Sequence, residues 1–342
     1  MKIRVMLIAV GMMACLRAAA DEVVPDPQSP GETAVSTDGG FHIDVGLDTR
    51  FDFDYTRRED DTHSSGFHGR YLNVTVDGSI NRYLDFHLRQ RLNRFGDMKD
   101  DAFGATDWVY IDYHPTPQWI LSGGKQVVAI GGMEYDANPI NIYFASRFWN
   151  NIGCYQFGVS GAYRFNGGCH SVLAQVCNSP YQPIGESCLA YNLMWQGKMG
   201  RVSTLWSVNA IEFSPGRWAN FIALGTRVDI AGAYAEVDLM NRYSGHSRYW
   251  LGDWSAIGKI CVAAGRHVDI FAKGGYERFR PELGAEATVD KPFYGIGAEY
   301  YPLKGSRDLR LHVVADVTHD NTGVRSTQIS AGLKWEVSVF SF

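Results

Sequence analysis

The side chains able to do chemistry in this chain recur at every second position. Asp44, Asp48, Arg50, Asp52 and Asp54 fall on even numbers, and Asp85, His87, Arg89 and Arg91 on odd ones. Spacing by two puts charges on one face of an extended strand. Such a row suits a wetted wall that attracts or repels ions, not a catalytic pocket. Further inward bases are expected at Lys125, Arg164, Arg201, Arg227, Lys273 and Arg310, and further inward acids at Asp112, Glu236, Asp238, Asp269, Glu299 and Asp316. A ring of one sign selects the opposite ion, so this mixture predicts a weak preference.

Other chemistry finds little support. Ten histidines and many serines supply the ingredients of a barrel lipase, yet no serine stands in a Gly-x-Ser-x-Gly elbow. No Cys-x-x-Cys or Cys/His spacing supports zinc. Glycine pairs such as Gly295-Ile296-Gly297 precede no helical pattern, so no cofactor-binding loop is expected. Beyond Cys15 there are five cysteines: Cys154, Cys169, Cys177, Cys188 and Cys261. An odd number leaves at least one unpaired in an oxidising compartment, and a disulfide is conceivable among Cys154, Cys177 and Cys188. The chain carries 32 basic against 37 acidic residues and no basic stripe, which argues against nucleic acid as a partner.

The elements that position these charges alternate with oily residues. Phe41, Ile43, Val45, Leu47, Phe51, Phe53 and Tyr55 interleave with the first charged row over about sixteen residues. Half-buried strands of soluble sheets usually run five or six. The pattern returns at 82–93, 155–165, 231–240, 309–318 and 327–339, and turn signals divide the chain into about sixteen such segments. The segment at 117–128 alternates poorly and is included on spacing.

Short turns, such as Asp77-Gly78, His114 to Pro117 and Asn166-Gly167-Gly168, alternate with longer loops. Outer-membrane barrels have short periplasmic turns and long outer loops. In hydrocarbon only a closed cylinder satisfies the backbone of strands, and about nine to eleven tilted residues cross it. Sixteen strands enclose a bore too wide for side chains to fill, so an aqueous channel is expected. Aromatic residues make up 13% of the chain; Trp108, Trp119, Trp195, Trp218 and Trp254, near proposed strand ends, are expected in interfacial girdles.

Met1 to Ala20 reads as a cleaved secretory signal, with Lys2 and Arg4, an apolar stretch, and Ala18-Ala19-Ala20 before Asp21. Met12-Met13-Ala14-Cys15 faintly resembles a lipobox, so lipidation of Cys15 is the rival reading. Residues 21–40 read as a loose periplasmic tail and 41–342 as the barrel.

The third long loop, 129–152, is about twice the length of the others and rich in aromatics and Asn. Long loops are usually functional or disordered, and this composition disfavours disorder. Folded inward, it would bury Tyr143, Phe144, Phe148 and Trp149 against the wall. Glu134, Asp136 and Arg147 would then stand at the constriction with Lys125, and Arg89 and Arg91 would face Glu134 and Asp136 across the neck. The alternative is a hydrophobic lid or subunit contact at the outer rim.

The run Gly123-Gly124-Lys125-Gln126, Gly131-Gly132-Met133-Glu134-Tyr135-Asp136 and Phe148-Trp149-Asn150-Asn151 resembles the third-loop region of phosphate-selective porins O and P. The resemblance is specific over about thirty residues and architectural elsewhere. It implies a sixteen-stranded antiparallel β-barrel in the Gram-negative outer membrane, a homotrimer among lipid and lipopolysaccharide, with the third loop constricting the pore. It also implies a terminal aromatic as an assembly signal, here Phe342. Phe340 and Phe342 share parity with Lys334 and Glu336, off the apolar phase, and a bulge near residue 339 would repair it. The family's arginine ladder is diluted here by acids. The resulting reading is a passive diffusion channel for small hydrophilic solutes and ions. The alternatives are a phosphate-type anion channel, a lipase-like barrel enzyme or a plugged adhesin barrel.

Overall fold

Two-sided residue patterns become two-sided strands. The computed structural model describes residues 40–94, 101, 103–150, 152–181, 187–244, 252–279, 289–319 and 324–342. The leader and, apart from Gly40, the periplasmic tail expected from the sequence lie outside the described residues.

The strands are β1 (His42–Arg58), β2 (His63–Asn81), β3 (Leu84–Arg91), β4 (Thr106–Thr116), β5 (Trp119–Val127), β6 (Tyr155–Phe165), β7 (His170–Asn178) and β8 (Leu189–Met199). They continue as β9 (Val202–Ser214), β10 (Arg217–Ile230), β11 (Ala233–Ser244), β12 (Trp254–Ala263), β13 (Val268–Phe279), β14 (Val289–Tyr300), β15 (Leu309–His319) and β16 (Arg325–Ser341). Each pairs with its chain neighbours and β16 closes on β1, so the sheet has no edge. Among the described residues no helix is long and apolar enough to cross a membrane; this molecule crosses with strands.

β1 shows the two faces. Asp52 is 2% exposed inside, beneath its neighbours, while Phe51 beside it is 51% exposed outside. Water on one side and hydrocarbon on the other force that period of two.

Two bulges change the phase. Gly46 opposes Ser338 but Val45 opposes Phe340, so Val339 is the extra residue. The shift returns Phe340 and Phe342 to the oily face beside Val45 and Ile43. Ile43 and Phe342 exchange backbone hydrogen bonds of 3.0 Å each, tying the terminus to β1. On the other side, Arg89 opposes Trp108 while Gln90 opposes Thr106, which leaves Asp107 unopposed and turned inward.

The phase of β4 corrects one girdle assignment, since Trp108 shares a face with the inward Asp112. Trp108 is 8% exposed and lies inside the bore under the Arg89 guanidinium, 3.8 Å from its ring centre, whereas Trp119 and Trp218 remain exposed on the outer face. No disulfide joins any of the five described cysteines, Cys154, Cys177 and Cys188 included.

The core of the molecule sits in the bore, where the segment between β5 and β6 folds back onto the wall. Ile130, Tyr135, Phe148 and Ile152 pack against Ala190, Ile211, Phe221 and Met240. Phe144 joins Ile257, Phe271 and Phe293 in a second cluster.

Candidate pore constriction

The third loop leaves β5 along a wall that leaves room only for its backbone. A Cβ on Gly131 would stand 2.5 Å from the Leu205 carbonyl oxygen and 3.0 Å from that of Ala223. Gly132 has φ +114°, which side chains rarely adopt. An amide ladder on β7–β9 receives the strip: Ala129 N–H donates to Gln175 Oε1 and Gly131 N–H to Ser207 Oγ, both at 2.8 Å, and Asn209 Nδ2 donates to Ala129 O at 2.8 Å.

A short helical turn, α1 (Met133–Asp136), follows. Its first two N–H groups, which no intrahelical carbonyl can reach, donate to the Asp238 carboxylate at 2.6 and 2.9 Å. Glu134 points to the wall: Lys273 pairs with it, and Ser146 N–H donates to its Oε1 at 2.9 Å. Asp136, on the same turn, is half-buried and has no ion-pair partner among the described residues. Enclosure by the bore pushes its carboxyl up to about 6. Of the two acids expected at the neck, Glu134 is therefore a tie to β13 and Asp136 a lone lumen carboxylate.

The loop tip rests on charges. Arg310 Nη1 and Lys334 Nζ both donate to Asn141 Oδ1, at 2.9 and 2.8 Å, and Arg50 Nη1 donates to Ile142 O at 2.8 Å. Tyr143 donates to Glu299, and its ring stacks on Phe271 with centroids 5.4 Å apart. Each base has its own carboxylate: Arg50 with Asp52, Arg310 with Glu336, Lys334 with Glu299.

Arg89, Arg91, Lys125 and Arg147 are placed or partnered differently from the sequence reading. Arg89 and Arg91 line the lumen but do not pair with Glu134 and Asp136. Both clamp Asp107, at 2.7 and 2.6 Å, because the β3–β4 bulge turns that carboxylate between them. Arg89 also donates to Tyr155 and reaches the loop at Asn138 Oδ1, 3.5 Å away. Lys125 is not at the neck. It shares the outer face with its partner Phe157, which is 40% exposed, and its amine donates to the Phe103 carbonyl at 2.8 Å.

Arg147 opens a second turn, α2 (Arg147–Asn150), and lies against the wall rather than across the bore. Its N–H donates to Glu277 Oε2 at 2.9 Å and its guanidinium lies 3.3 Å from the Phe279 ring centre. Burial and the nearby Arg242 push its pKa down. Arg227 and Glu236 face each other inward at 3.5 Å, and Arg164 lies opposite Ser171 near the periplasmic turn. Asp107, Asn138, Asn141, Tyr155 and Lys334 also belong to this network of contacts around the loop and are not among the site residues the sequence points to. Tyr155 and the two asparagines had no charge spacing to mark them, Asp107 needed a bulge, and Lys334 entered the sequence reading only through its strand phase.

Residues 35–218, more than half of the chain, match the family model described as phosphate-selective porin O and P. No curated protein matches it in sequence. Solved structures share its fold at low identity. The channel DcaP of Acinetobacter baumannii superposes with TM-score 0.60 at 12% identity, over 87% of this chain and 98% of that one. The trimer form of OmpT from Vibrio cholerae gives 0.55 at 14%, over 86% and 100%. OccK7 of Pseudomonas aeruginosa gives 0.55 at 8%, over 88% and 99%. With a closed sixteen-stranded antiparallel barrel around an inward loop, the family match places this protein in the outer membrane as a non-enzymatic diffusion channel, a member of the phosphate-selective porin O and P family.

Proposed function

We propose that the third loop sets the size limit of this channel and that Asp136 gives it a mild preference for small hydrophilic cations. The observation that carries this is charge pairing. Arg50, Arg89, Arg91, Lys273, Arg310 and Lys334 each have a carboxylate partner at the loop, whereas Asp136 has none among the described residues. Paired charges cancel at the distance of a passing ion. Asp136 is the unpaired carboxylate on the loop itself, and the wall acids Asp48 and Asp316, likewise without an ion-pair partner among the described residues, add charge of the same sign. The working unit is a homotrimer, supported by the trimer form of the OmpT neighbour, embedded in outer-membrane lipid and lipopolysaccharide.

Reversal potentials in a potassium chloride gradient across planar bilayers test the reading. Cations should pass more readily than chloride, and Asp136→Asn should move the ratio toward one. Chloride preference in the native protein would refute it.

One observation favours a second reading, an anion channel of the kind the family's description names. Arg50, Arg310 and Lys334 converge on two oxygens of the loop tip, as they would on an anion. Their partners Asp52, Glu336 and Glu299 offset that charge. Block of chloride current by micromolar phosphate would decide for this second reading.

A further inference from the structure

The lipid-facing surface carries a trough that the channel function does not use. Along one hydrogen-bonding row, Val237 opposes Gly258, Gly258 opposes Gly274, Gly274 opposes Tyr294, and the row continues to Thr327 on β16. The two glycines leave a hollow of about 730 Å³, walled by side chains such as Ile260 and Ile296, each about half exposed (50% and 52%). Since strands of such barrels tilt by roughly 35–45°, a row perpendicular to them also runs obliquely across the bilayer. Its upper end is at β15 and β16, two residues short of their outer ends; its lower end is on the periplasmic half of β11.

Basic groups cap the upper end, whereas the outward lining of the hollow at its lower end, Ala235, Val237 and Ile260, is apolar. Arg325 and His319 oppose each other on the outward face, and Arg325 Nη2 donates to Tyr294 Oη at 3.4 Å. His319 Nδ1 sits 2.8 Å from the Pro292 carbonyl. Arg278 nearby is neutralised by Asp290 at 2.7 Å, and Glu59 Oε2 lies 3.5 Å from the Arg325 amide N–H, not its guanidinium. Among the described residues that guanidinium meets no carboxylate.

We infer that this trough is a binding site for one lipid A molecule of the outer leaflet, an acyl chain in the hollow and a phosphate at Arg325 and His319. The inference rests on the outer-membrane placement that the family match gives. Apolar area buried in the hollow supplies the attraction, and a guanidinium–phosphate contact supplies the selectivity. A periplasmic-leaflet phospholipid approaches from the end where the hollow's outward lining, Ala235, Val237 and Ile260, is apolar.

The test uses the full barrel purified from outer membranes, with native mass spectrometry after detergent exchange, and a titration of delipidated protein with lipid A or with phosphatidylglycerol. Two variants separate the parts. Arg325→Gln removes the phosphate contact. Gly258→Leu fills the hollow without a clash, since a Cβ there meets nothing closer than the Glu236 carbonyl oxygen at 4.0 Å. The native barrel should retain one lipid A per chain, and each variant should lose affinity by at least about tenfold with unchanged conductance. Equal retention by both variants, equal binding of phosphatidylglycerol, or dissociation of an oligomer by Gly258→Leu without lipid loss would overturn the assignment. A native barrel that binds lipid A yet passes no ions would instead sink the channel reading alone.

Discussion

Where the third loop meets β7–β11 it is largely oil against oil and backbone against backbone; where its tip meets β1, β15 and β16, charged bases hold neutral oxygens. Ile130, Tyr135 and Phe148 fill a shape that admits one arrangement, with Gly131 pressed on the Leu205 carbonyl. Asn141 and Ile142 offer two oxygens to three long, flexible bases. Close-packed contacts fail abruptly when altered, whereas a redundant set of charge-assisted hydrogen bonds yields by degrees. The flank should therefore fix where the loop lies, and the tip should tune how steadily it lies there.

Gly131→Val attacks the flank where it has least room and should have the largest effect. Overpacking costs about 1–3 kcal/mol, and the loop can escape it only by leaving the wall. Single-channel conductance should rise severalfold, or the barrel should fail to reach its heat-resistant folded form on gels. Native conductance in a folded Gly131→Val barrel would show that the loop is not seated on β9 and β10.

Asp238→Ala comes next. Two backbone N–H groups lose a charged acceptor, each contact being worth about 1.5–3 kcal/mol. The turn carrying Asp136 should loosen, seen as rapid flicker of the open channel with unchanged barrel stability. At the tip, Lys334→Met should do less, because Arg50 and Arg310 still hold Ile142 and Asn141. A slightly lower threshold for voltage closure is the expected signature. If Lys334→Met outweighs Asp238→Ala, flank and tip exchange roles.

The same contrast separates what the sequence discloses from what it hides. Lipid outside and water inside impose a period of two, so β1 and β16 are legible residue by residue, and an aromatic loop at 129–152 stands out as one that water alone would not support. Side-chain facing near irregularities is not legible. β5 contains Gly123-Gly124, which carry no alternation, and Lys125 was placed on the wrong side of the wall. A bulge has no residue signature of its own, so Asp107 turned inward unseen, whereas Trp108 shares the parity of the inward Asp112 and its facing follows from strand phase. At the terminus the mismatch of Phe342 with the apolar phase betrayed the bulge at Val339, because there a known requirement conflicted with parity.

The smallest structural change carries the finest test. Asp136→Asn alters one atom on a turn whose other ties, Asp238 and Lys273, stay in place, so conductance should hold within experimental scatter. Selectivity should not. Enclosure places the Asp136 carboxyl at about 6, above the ordinary aspartate value of 3.8. Above that pH it is charged and draws cations; as pH falls through 6 it takes up a proton and the draw is lost. The native channel should thus lose part of its cation preference between pH 7 and pH 5, while Asp136→Asn should show the reduced preference at both values. A native channel whose reversal potential is flat over that interval, or an Asn variant that still titrates, would assign the selectivity to another group, and the inward wall acids Asp48 and Asp316, which have no ion-pair partner among the described residues, would be the next to test.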